Sequence, residues 1–310
     1  MTDTTQTHVA TLVAAPGSDL LSDALIARVA QALPEAGTPA RLDPTLAVDI
    51  PFRPAIEGAA DPDPRVMAKR VHVALDGLPI DVFVQRLAER RKRLFLADMD
   101  STMIGQECID ELADFVGLKD KVATITERAM RGEIAFEPAL RERVALLAGL
   151  DVDVVDRIIT ERITLTAGGR TLIATLRAKR AYTCLVSGGF TLFTTRIAKV
   201  LGFEENRANV LLTEGGKLSG KVEEPILGRE AKLATLQELR EKFGLAAHEV
   251  VAIGDGANDL AMLGDAGLGV AFRAKPAVAA AAHARLDHAD LTALLFAQGY
   301  RSDEFVRPTD

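Results

Sequence analysis

Two carboxylates, Asp98 and Asp100, follow the apolar run Leu94–Ala97 and are separated by one residue. On an extended chain such residues point to the same side, where their charges repel unless a cation or a shared proton lies between them. Mg²⁺ prefers oxygen ligands, and a carboxylate can also attack phosphorus to form an aspartyl-phosphate. A lone Asp-x-Asp is also typical of a capped strand end, so this motif alone leaves both interpretations open.

Ser187 and Gly188 follow a second apolar run, 181–186. The hydroxyl and the backbone amides of this turn could hold a phosphate oxygen, although an ordinary strand-to-helix turn has the same composition. Lys232 lies in line with the apolar stripe of the helical pattern 229–243, where a charged residue is out of place. Its ammonium could reach a phosphate and balance the carboxylates, or it could extend along the edge of the stripe to water.

The stretch 254–259 reads Gly-Asp-Gly-Ala-Asn-Asp and follows a third apolar run. Its small residues would let the backbone approach a ligand closely. Asp255 could complete a metal site, and Asp259 could support that site from the start of the next helix. The alternative is a glycine-rich turn with a helix-capping Asp.

From residue 93 onward, strand-like runs alternate with long helical patterns, which indicates an open parallel α/β sheet of Rossmann-like type. Active sites of such sheets form outside the carboxyl ends of the strands, so the three turns should share one rim. Residues 103–165 show little strand character and four helical patterns, which predicts an all-helical cap inserted in a core domain of residues 93–300. Residues 209–222 predict a β-hairpin.

Residues 1–92 predict a small α+β domain with the element order β-α-β-β-α. The predicted elements are a strand at 8–14, a helix capped by Ser18 or Asp19, an extended segment around 46–50, a loop at 57–64, a strand at 71–75 and a helix at 80–91. This order is ferredoxin-like and somewhat like an ACT domain that lacks its last strand. The basic cluster 90–93 would then close the last helix, where cations suit the helix dipole.

The composition excludes several classes of protein. A net charge of −7 and 5% aromatic residues argue against a nucleic-acid partner. No apolar run approaches the ~20 residues that span a bilayer. A secretory signal begins with basic residues, whereas the first ten residues here contain no Lys or Arg. Cys108 and Cys184 lack metal-ligand spacing, so we expect reduced thiols and a cytoplasmic protein without a membrane partner.

The motifs are far more specific together than singly. Residues 98–102 read Asp-x-Asp-Ser-Thr, residues 187–190 read Ser-Gly-Gly-Phe, and the stretch 254–259 follows in order. This combination resembles the haloacid dehalogenase-like superfamily of phosphohydrolases, and within it the phosphoserine phosphatases, over about residues 93–290. The resemblance implies hydrolysis of the small molecule O-phospho-L-serine, the last step of serine biosynthesis, through an aspartyl-phosphate.

The resemblance also assigns catalytic roles. Asp98 is the expected nucleophile, and Asp100 the expected proton donor and acceptor. Mg²⁺ would bind the Asp98 side chain, the Asp100 backbone carbonyl and Asp255, with Asp259 in support. The expected phosphate-binding residues are Ser187, Gly188, Lys232 and Asn258.

In the predicted cap, the resemblance places Glu107 against the substrate ammonium and Arg143 against the substrate carboxylate. Phe136 joins these substrate-binding residues. Arg143 shares a helical face with Phe136, Leu140 and Leu147, and a bound carboxylate would explain a charge on that apolar face. Glu107 has a second interpretation, as a residue that favours the dipole of the helix it begins.

Two alternatives stay open at this level. A related phosphatase or phosphotransferase acting on another small phosphomonoester would use the same catalytic residues. A non-catalytic amino-acid or phosphate sensor is disfavoured because Asp98 and Asp255 are both present. The sequence is compatible with a homodimer but leaves the oligomeric state open.

Overall fold

The computed structural model describes residues 6–54, 63–130 and 133–308. Most of its strands form two sheets, one of four strands near the N-terminus and one of six. Within the described residues, no helix is both long and apolar enough to cross a membrane. Most of the loop predicted at 57–64 lies outside the described residues.

The N-terminal region is an antiparallel sheet in the order β2-β3-β1-β4, packed against two helices. Its element order, β-α-β-β-α-β, is the complete ferredoxin-like order. The elements are β1 (His8–Ala14), α1 (Asp23–Ala32), β2 (Ala40–Asp43), β3 (Ala47–Phe52), α2 (Pro64–Leu75) and β4 (Ile80–Arg86). The strand predicted to be missing is therefore present as β4.

The predicted strand at 71–75 and the predicted helix at 80–91 were both wrong, because residues 71–75 belong to a helix and residues 80–86 to a strand. Residues 71–75 are helical because Met67, Val71 and Leu75 are buried at four-residue spacing, whereas Val73 is 81% exposed. In β4, the even-numbered residues from Ile80 to Val84 face the helices and Phe83 faces the core, so both sides of the strand are buried. The N-cap of α1 is Ser22, rather than Ser18 or Asp19.

The remaining chain contains the predicted parallel sheet, which has six strands in the order β12-β11-β10-β5-β6-β7. Its elements, with the helices and the small hairpin between them, are β5 (Leu94–Ala97), α3 (Cys108–Phe115), α4 (Lys119–Met130), α5 (Phe136–Ala145), α6 (Val154–Glu161), α7 (Gly169–Ala178), β6 (Tyr182–Phe190), α8 (Thr191–Leu201), β7 (Glu205–Asn209), β8 (Leu211–Glu214), β9 (Lys217–Val222), α9 (Arg229–Lys242), β10 (Val250–Gly254), α10 (Leu260–Asp265), β11 (Leu268–Phe272), α11 (Pro276–Ala281), β12 (Ala284–Leu286) and α12 (Ala293–Ala297).

Helices α3 to α6 lie between β5 and β6, where the four helical patterns occur. The chain enters and leaves this helical segment side by side, because Ile104 pairs with Leu165 in an antiparallel bridge. Strands β8 and β9 form the predicted hairpin. The limits of the cap and of the two domains stay a prediction.

The basic cluster 90–93 does not end an α-helix, contrary to the prediction, because residues 80–86 form a strand and only 87–89 form a short 3₁₀ turn. It follows β4 and a short turn, and its side chains join distant parts of the chain. Arg90 pairs with Asp49, and the Arg91 guanidinium lies 3.5 Å from the centre of the Tyr300 ring. Lys92 Nζ donates to the carbonyl oxygen of His248 at 2.8 Å. The cluster therefore connects the N-terminal sheet to the core.

Candidate active site at the rim of the parallel sheet

The three turns identified in the sequence meet at one rim. Strand β5 lies between β6 and β10, with Ala97 paired to Leu185 on one side and Ile253 on the other. Because all three strands are parallel, their carboxyl ends bring Asp98, the turn 187–189 and Asp255 to the same edge.

Asp98 and Lys232 form an ion pair inside the rim. Asp98 Oδ1 accepts a hydrogen bond from the Met99 amide at 2.7 Å, and Asp98 Oδ2 lies 2.7 Å from Lys232 Nζ. The same Nζ lies 2.6 Å from Asp259 Oδ1. Lys232 is fully buried, which rules out the interpretation that it extends to water. Despite its burial, Asp98 and Asp259 raise the pKa of Lys232, so it remains a cation.

Asp98, Asp255 and Asp259 place carboxylate oxygens within 4.8 Å of one another. Burial, with a further contribution from Asp259, raises the pKa of Asp98 well above its usual range and also raises that of Asp255. A divalent cation would relieve this cost, and an all-oxygen donor set suits Mg²⁺. The residues therefore fit such an ion.

Two members of this cluster, Asp98 and Asp255, are predicted metal ligands, and the third, Asp259, was predicted to support them. The Asp259 side chain lies in the cluster, whereas the Asp100 side chain does not. Asp259 was expected only to support the ligands, because it begins a helix. The sequence does not show how closely the loop 254–259 approaches the end of β5. The predicted contribution of Asp100 is a backbone carbonyl, which a cluster of side chains does not test.

Asp100 lies beside the carboxylate cluster in a tight turn. Asp100 itself has extended backbone angles, with a φ of −65° and a ψ of 138°, and the chain turns at Ser101, which has a φ of 54°. Asp100 Oδ1 accepts a hydrogen bond from the Cys108 amide at 3.2 Å. Burial raises the pKa of Asp100 to about 6. A carboxyl group with such a pKa can both donate and accept a proton near neutral pH.

The bulge at residues 187–189, near the end of β6, brings small residues against Asp100. The Gly189 amide donates to Ser187 Oγ at 2.9 Å. A Cβ on Gly189 would lie only 2.9 Å from Asp100 Oδ2, so a larger residue would push into the site. Gly188 lies on the same turn, beside the ring of Phe136. The structure therefore brings Ser187 and Gly188 to the rim, as predicted.

Thr102 contributes a contact that the sequence reasoning missed. Its Oγ1 donates to Asp255 Oδ1 at 2.9 Å, and the side chain is fully buried. The motif did contain this residue, and a buried hydroxyl requires a partner. Asn258 lies in the turn after Asp255, with its Oδ1 against Gly256. The expected contact of Asn258 with phosphate stays a prediction.

Glu107 lies at the mouth of the site, where the helical segment begins. Ser101 Oγ donates to Glu107 Oε1 at 2.6 Å. Although the side chain is exposed by surface area, the protein packed around the carboxylate raises its pKa to about 7, and Asp100 and Asp255 add to the rise. Glu107 is therefore close enough to the rim carboxylates for their negative charge to raise its pKa.

Arg143 is half-buried on α5 and has no carboxylate partner among the described residues. Its Nε donates to the carbonyl oxygen of Ala139 at 3.2 Å, and its Nη1 to Thr126 Oγ1 at 3.4 Å. Burial lowers the pKa of Arg143, which the charges of Asp110 and Glu107 oppose. A guanidinium in this setting can accept a bound carboxylate. Phe136, at the start of the same helix, is 40% exposed.

Comparison with known proteins agrees with this geometry. Residues 95–264 match the haloacid dehalogenase-like hydrolase family. A phosphoserine phosphatase of Streptomyces coelicolor is 42% identical over 250 residues, which are 81% of this chain and 60% of that protein. The chain thus spans less than two thirds of the length of this curated relative.

Two solved structures are similar to the chain. A HAD family hydrolase of Salmonella enterica serovar Typhi has a TM-score of 0.79 and 26% identity, and the match covers 96% of this chain and all of that one. A phosphoserine phosphatase solved as a phospho-aspartyl intermediate analogue has a TM-score of 0.61 and 39% identity, covering 66% of this chain and 98% of that one.

Proposed function

Since the chain belongs to the haloacid dehalogenase-like hydrolase family, we propose that it hydrolyses O-phospho-L-serine to L-serine and phosphate, as the last step of serine biosynthesis. The observation that carries the proposal is the site itself. Asp98 is buried against Lys232 at the rim, beneath a helical segment that presents Glu107 and Arg143, and Arg143 has no carboxylate partner among the described residues. The similarity of the chain to phosphoserine phosphatases supports the same substrate.

Asp98 is the nucleophile in this mechanism. Its carboxylate is oriented by the Met99 amide and by Lys232, so an oxygen can attack the phosphorus of the substrate. The bond between phosphorus and the serine oxygen breaks, and Asp100 gives its proton to that oxygen. Asp100 then takes a proton from the water that attacks the aspartyl-phosphate. Phosphate leaves and the Asp98 carboxylate is restored.

Mg²⁺ is the proposed cofactor. It would be held by Asp98 and Asp255 with the Asp100 backbone carbonyl, and Asp259 lies close enough to contribute. When bound, the ion neutralises charge on the phosphoryl oxygens and on the carboxylates. Lys232 supplies a second positive charge next to the phosphoryl group, and this charge is present whether or not the ion is bound.

The two ends of the amino-acid part of the substrate meet opposite charges. Arg143 is available to pair with the substrate carboxylate, and Glu107 to pair with its ammonium. The charge of Glu107 opposes the burial that lowers the pKa of Arg143, and the charges of Asp100 and Asp255 add to the rise in the pKa of Glu107, so these groups lie near one another. This arrangement favours an amino-acid phosphate over an uncharged phosphomonoester. The free thiols of Cys108 and Cys184 support a cytoplasmic location, and a homodimer stays a prediction.

The test is phosphate release from a panel of phosphomonoesters, including O-phospho-L-serine, with and without Mg²⁺. We expect the Asp98→Asn variant to lose turnover by at least about 10⁴-fold, because an amide cannot act as the nucleophile. Asp303→Asn, a change at an exposed side chain that pairs with Arg301, serves as the control. Near-normal hydrolysis by Asp98→Asn would exclude the mechanism. A new phosphoester in place of inorganic phosphate would indicate a phosphotransferase.

A further inference from the structure

Asn209, the last residue of β7, is 3% exposed and contacts two loops of the site. Its Nδ2 donates to the carbonyl oxygens of Gly188 at 2.9 Å and Leu227 at 3.1 Å. Its Oδ1 accepts from the Leu227 amide at 2.6 Å. A side-chain amide is the group that supplies two donors and an acceptor at once. One buried side chain therefore joins the turn 187–189, near the end of β6, to the segment that leads into α9.

The sheet leaves a gap that this side chain fills. Pairing between β6 and β7 steps from Val186 opposite Arg207 to Phe190 opposite Asn209. The residues 187–189 therefore bulge out of the ladder toward the rim, and their backbone groups lose their partners on the neighbouring strand. Asn209 provides the partner for the carbonyl of Gly188, so the bulge is held in a single position.

The contact with Gly188 reaches Ser187 through one peptide group. The carbonyl of Gly188 and the amide of Gly189 belong to the same planar peptide. Asn209 holds the carbonyl end, and the amide end donates to Ser187 Oγ at 2.9 Å. With its oxygen accepting this bond, the Ser187 hydroxyl keeps its own proton for a phosphoryl oxygen.

The contacts with Leu227 reach Lys232. Leu227 precedes Gly228, which is the N-cap of α9. Lys232 lies one turn into this helix, and its amide donates to the carbonyl oxygen of Gly228. The start of this helix is thereby tied to the same side chain as the turn 187–189. Asn209 therefore anchors both the Ser187 turn, which offers a hydroxyl to a phosphoryl group, and the start of α9, which carries the Lys232 ammonium.

We propose that Asn209 is a positioning residue for phosphoryl transfer, which holds the Ser187 turn and the start of the Lys232 helix at a fixed separation. This inference rests on the proposed function, because it takes the phosphate-binding roles of Ser187 and Lys232 from it. Asn209 itself contacts no reacting atom and acts through the backbone of Gly188 and Leu227.

The test variant is Asn209→Asp, which keeps the size and the acceptor but sets a carboxylate oxygen against the carbonyls of Gly188 and Leu227. The matched control is Asn206→Asp on the same strand. Asn206 Oδ1 accepts from Thr194 Oγ1 at 2.8 Å, and a carboxylate retains that bond. Asn209→Ser removes the contacts without adding a charge, and it decides the question if Asn209→Asp does not fold.

For Asn209→Asp we expect kcat/KM for O-phosphoserine to fall about 100-fold and the inhibition constant of inorganic phosphate to rise about tenfold. Asn206→Asp should stay within about threefold of the parent in both quantities. The inhibition constant does not depend on the folded fraction, so loss of folded protein alone would not change it. Equal constants for the variants at 209 and 206 would overturn the proposal.

Hydrogen exchange of the Gly189 amide, measured by NMR without substrate, separates this inference from the proposed function. We expect exchange at least about tenfold faster in both Asn209 variants, because the peptide loses its anchor. Faster exchange in a protein that hydrolyses no phosphomonoester would support the anchor and overturn the proposed function. Unchanged exchange and phosphate inhibition in an active phosphatase would overturn the positioning role alone.

Discussion

At the scale of single residues, the rim carboxylates depend on neighbours that hold them in place. Asp98 is oriented by Met99 and Lys232, and Asp255 by the hydroxyl of Thr102. Burial raises the pKa of both carboxylates, so each added hydrogen bond or cation favours the ionised form. The activity of this site should therefore respond to changes in residues that touch no substrate.

Thr102→Val tests this dependence, because it removes the hydroxyl and keeps the shape of the side chain. We expect the Mg²⁺ concentration for half-maximal activity to rise about tenfold or more, since the carboxylate of Asp255 loses a partner that orients it. The control is Thr194→Val, an equally buried threonine whose hydroxyl contacts Asn206. An unchanged Mg²⁺ dependence for Thr102→Val would show that Asp255 needs no such support.

Arg143→Ala tests the substrate-carboxylate contact. We expect KM for O-phosphoserine to rise about 10- to 100-fold and KM for an aryl phosphate to change little, because only the former carries a carboxylate. Arg141→Ala is the matched control on the same helix, since Arg141 is exposed and pairs with Glu224 at 2.7 Å. Equal changes for both substrates would contradict the assignment of Arg143.

At the scale of elements, the β8–β9 hairpin supports the helix that carries Phe136 and Arg143. Strand β9 packs against α5, and the loop after α5 pairs with the hairpin through the amide of Gly149 and the carbonyl of Leu218 at 2.8 Å. Gly220 lies at this contact with a φ of 77°. The position of the substrate-binding helix is thus set partly by a hairpin outside the helical segment.

Gly220→Ala should disturb this support. A Cβ at Gly220 would lie 2.8 Å from the Cβ of Ala148 and would occupy a left-handed backbone conformation. We expect a loss of about 2–4 kcal/mol in the free energy of unfolding in urea, with an increased KM for O-phosphoserine. Gly216→Ala is the control, because its φ is 80° and nothing lies within 4 Å of its Cβ. Equal losses for the two variants would exclude a packing role for Gly220.

At the scale of the whole molecule, the N-terminal sheet is built into the core. Phe83 and Ala47 belong to the same hydrophobic cluster as residues of the parallel sheet. The buried carboxylate of Asp81 accepts hydrogen bonds from the amides of Asp287 and Ala289 at 2.8 and 2.7 Å. We therefore expect the two sheets to unfold together, with groups buried between them contributing to the stability of the whole chain.

Lys92 provides a pH-dependent test of this expectation. Burial lowers its pKa from 10.5 to about 8, so between these values the unfolded chain binds more protons than the folded one. Stability should therefore rise with pH across this window, relative to a Lys92→Met variant, by up to about 3 kcal/mol. Free energies of urea unfolding of both proteins at pH 7.5 and 10 measure this difference. A constant difference would mean that Lys92 is not desolvated in the folded protein.

The motifs in the sequence were enough to predict the catalytic chemistry and the parallel sheet of the core. Motif residues at the ends of apolar runs predicted the parallel sheet and one rim holding Asp98, Ser187 and Asp255, because parallel strands must end at the same edge. Local patterns decided less at the N-terminus, where α2 and β4 were assigned wrongly. A strand buried on both sides, like β4, loses the contrast on which its two-residue period depends.

The assembly of the rim became visible in the folded chain. It placed Asp259 in the carboxylate cluster, buried Lys232 between two carboxylates, and set Asn209 between the Ser187 turn and Leu227. The residues that meet there lie far apart in the chain, since Asp98 and Asp259, which both pair with Lys232, are 161 positions apart. Spacing along the chain carries no information about such approaches, because they depend on how loops return to the sheet after the core has packed.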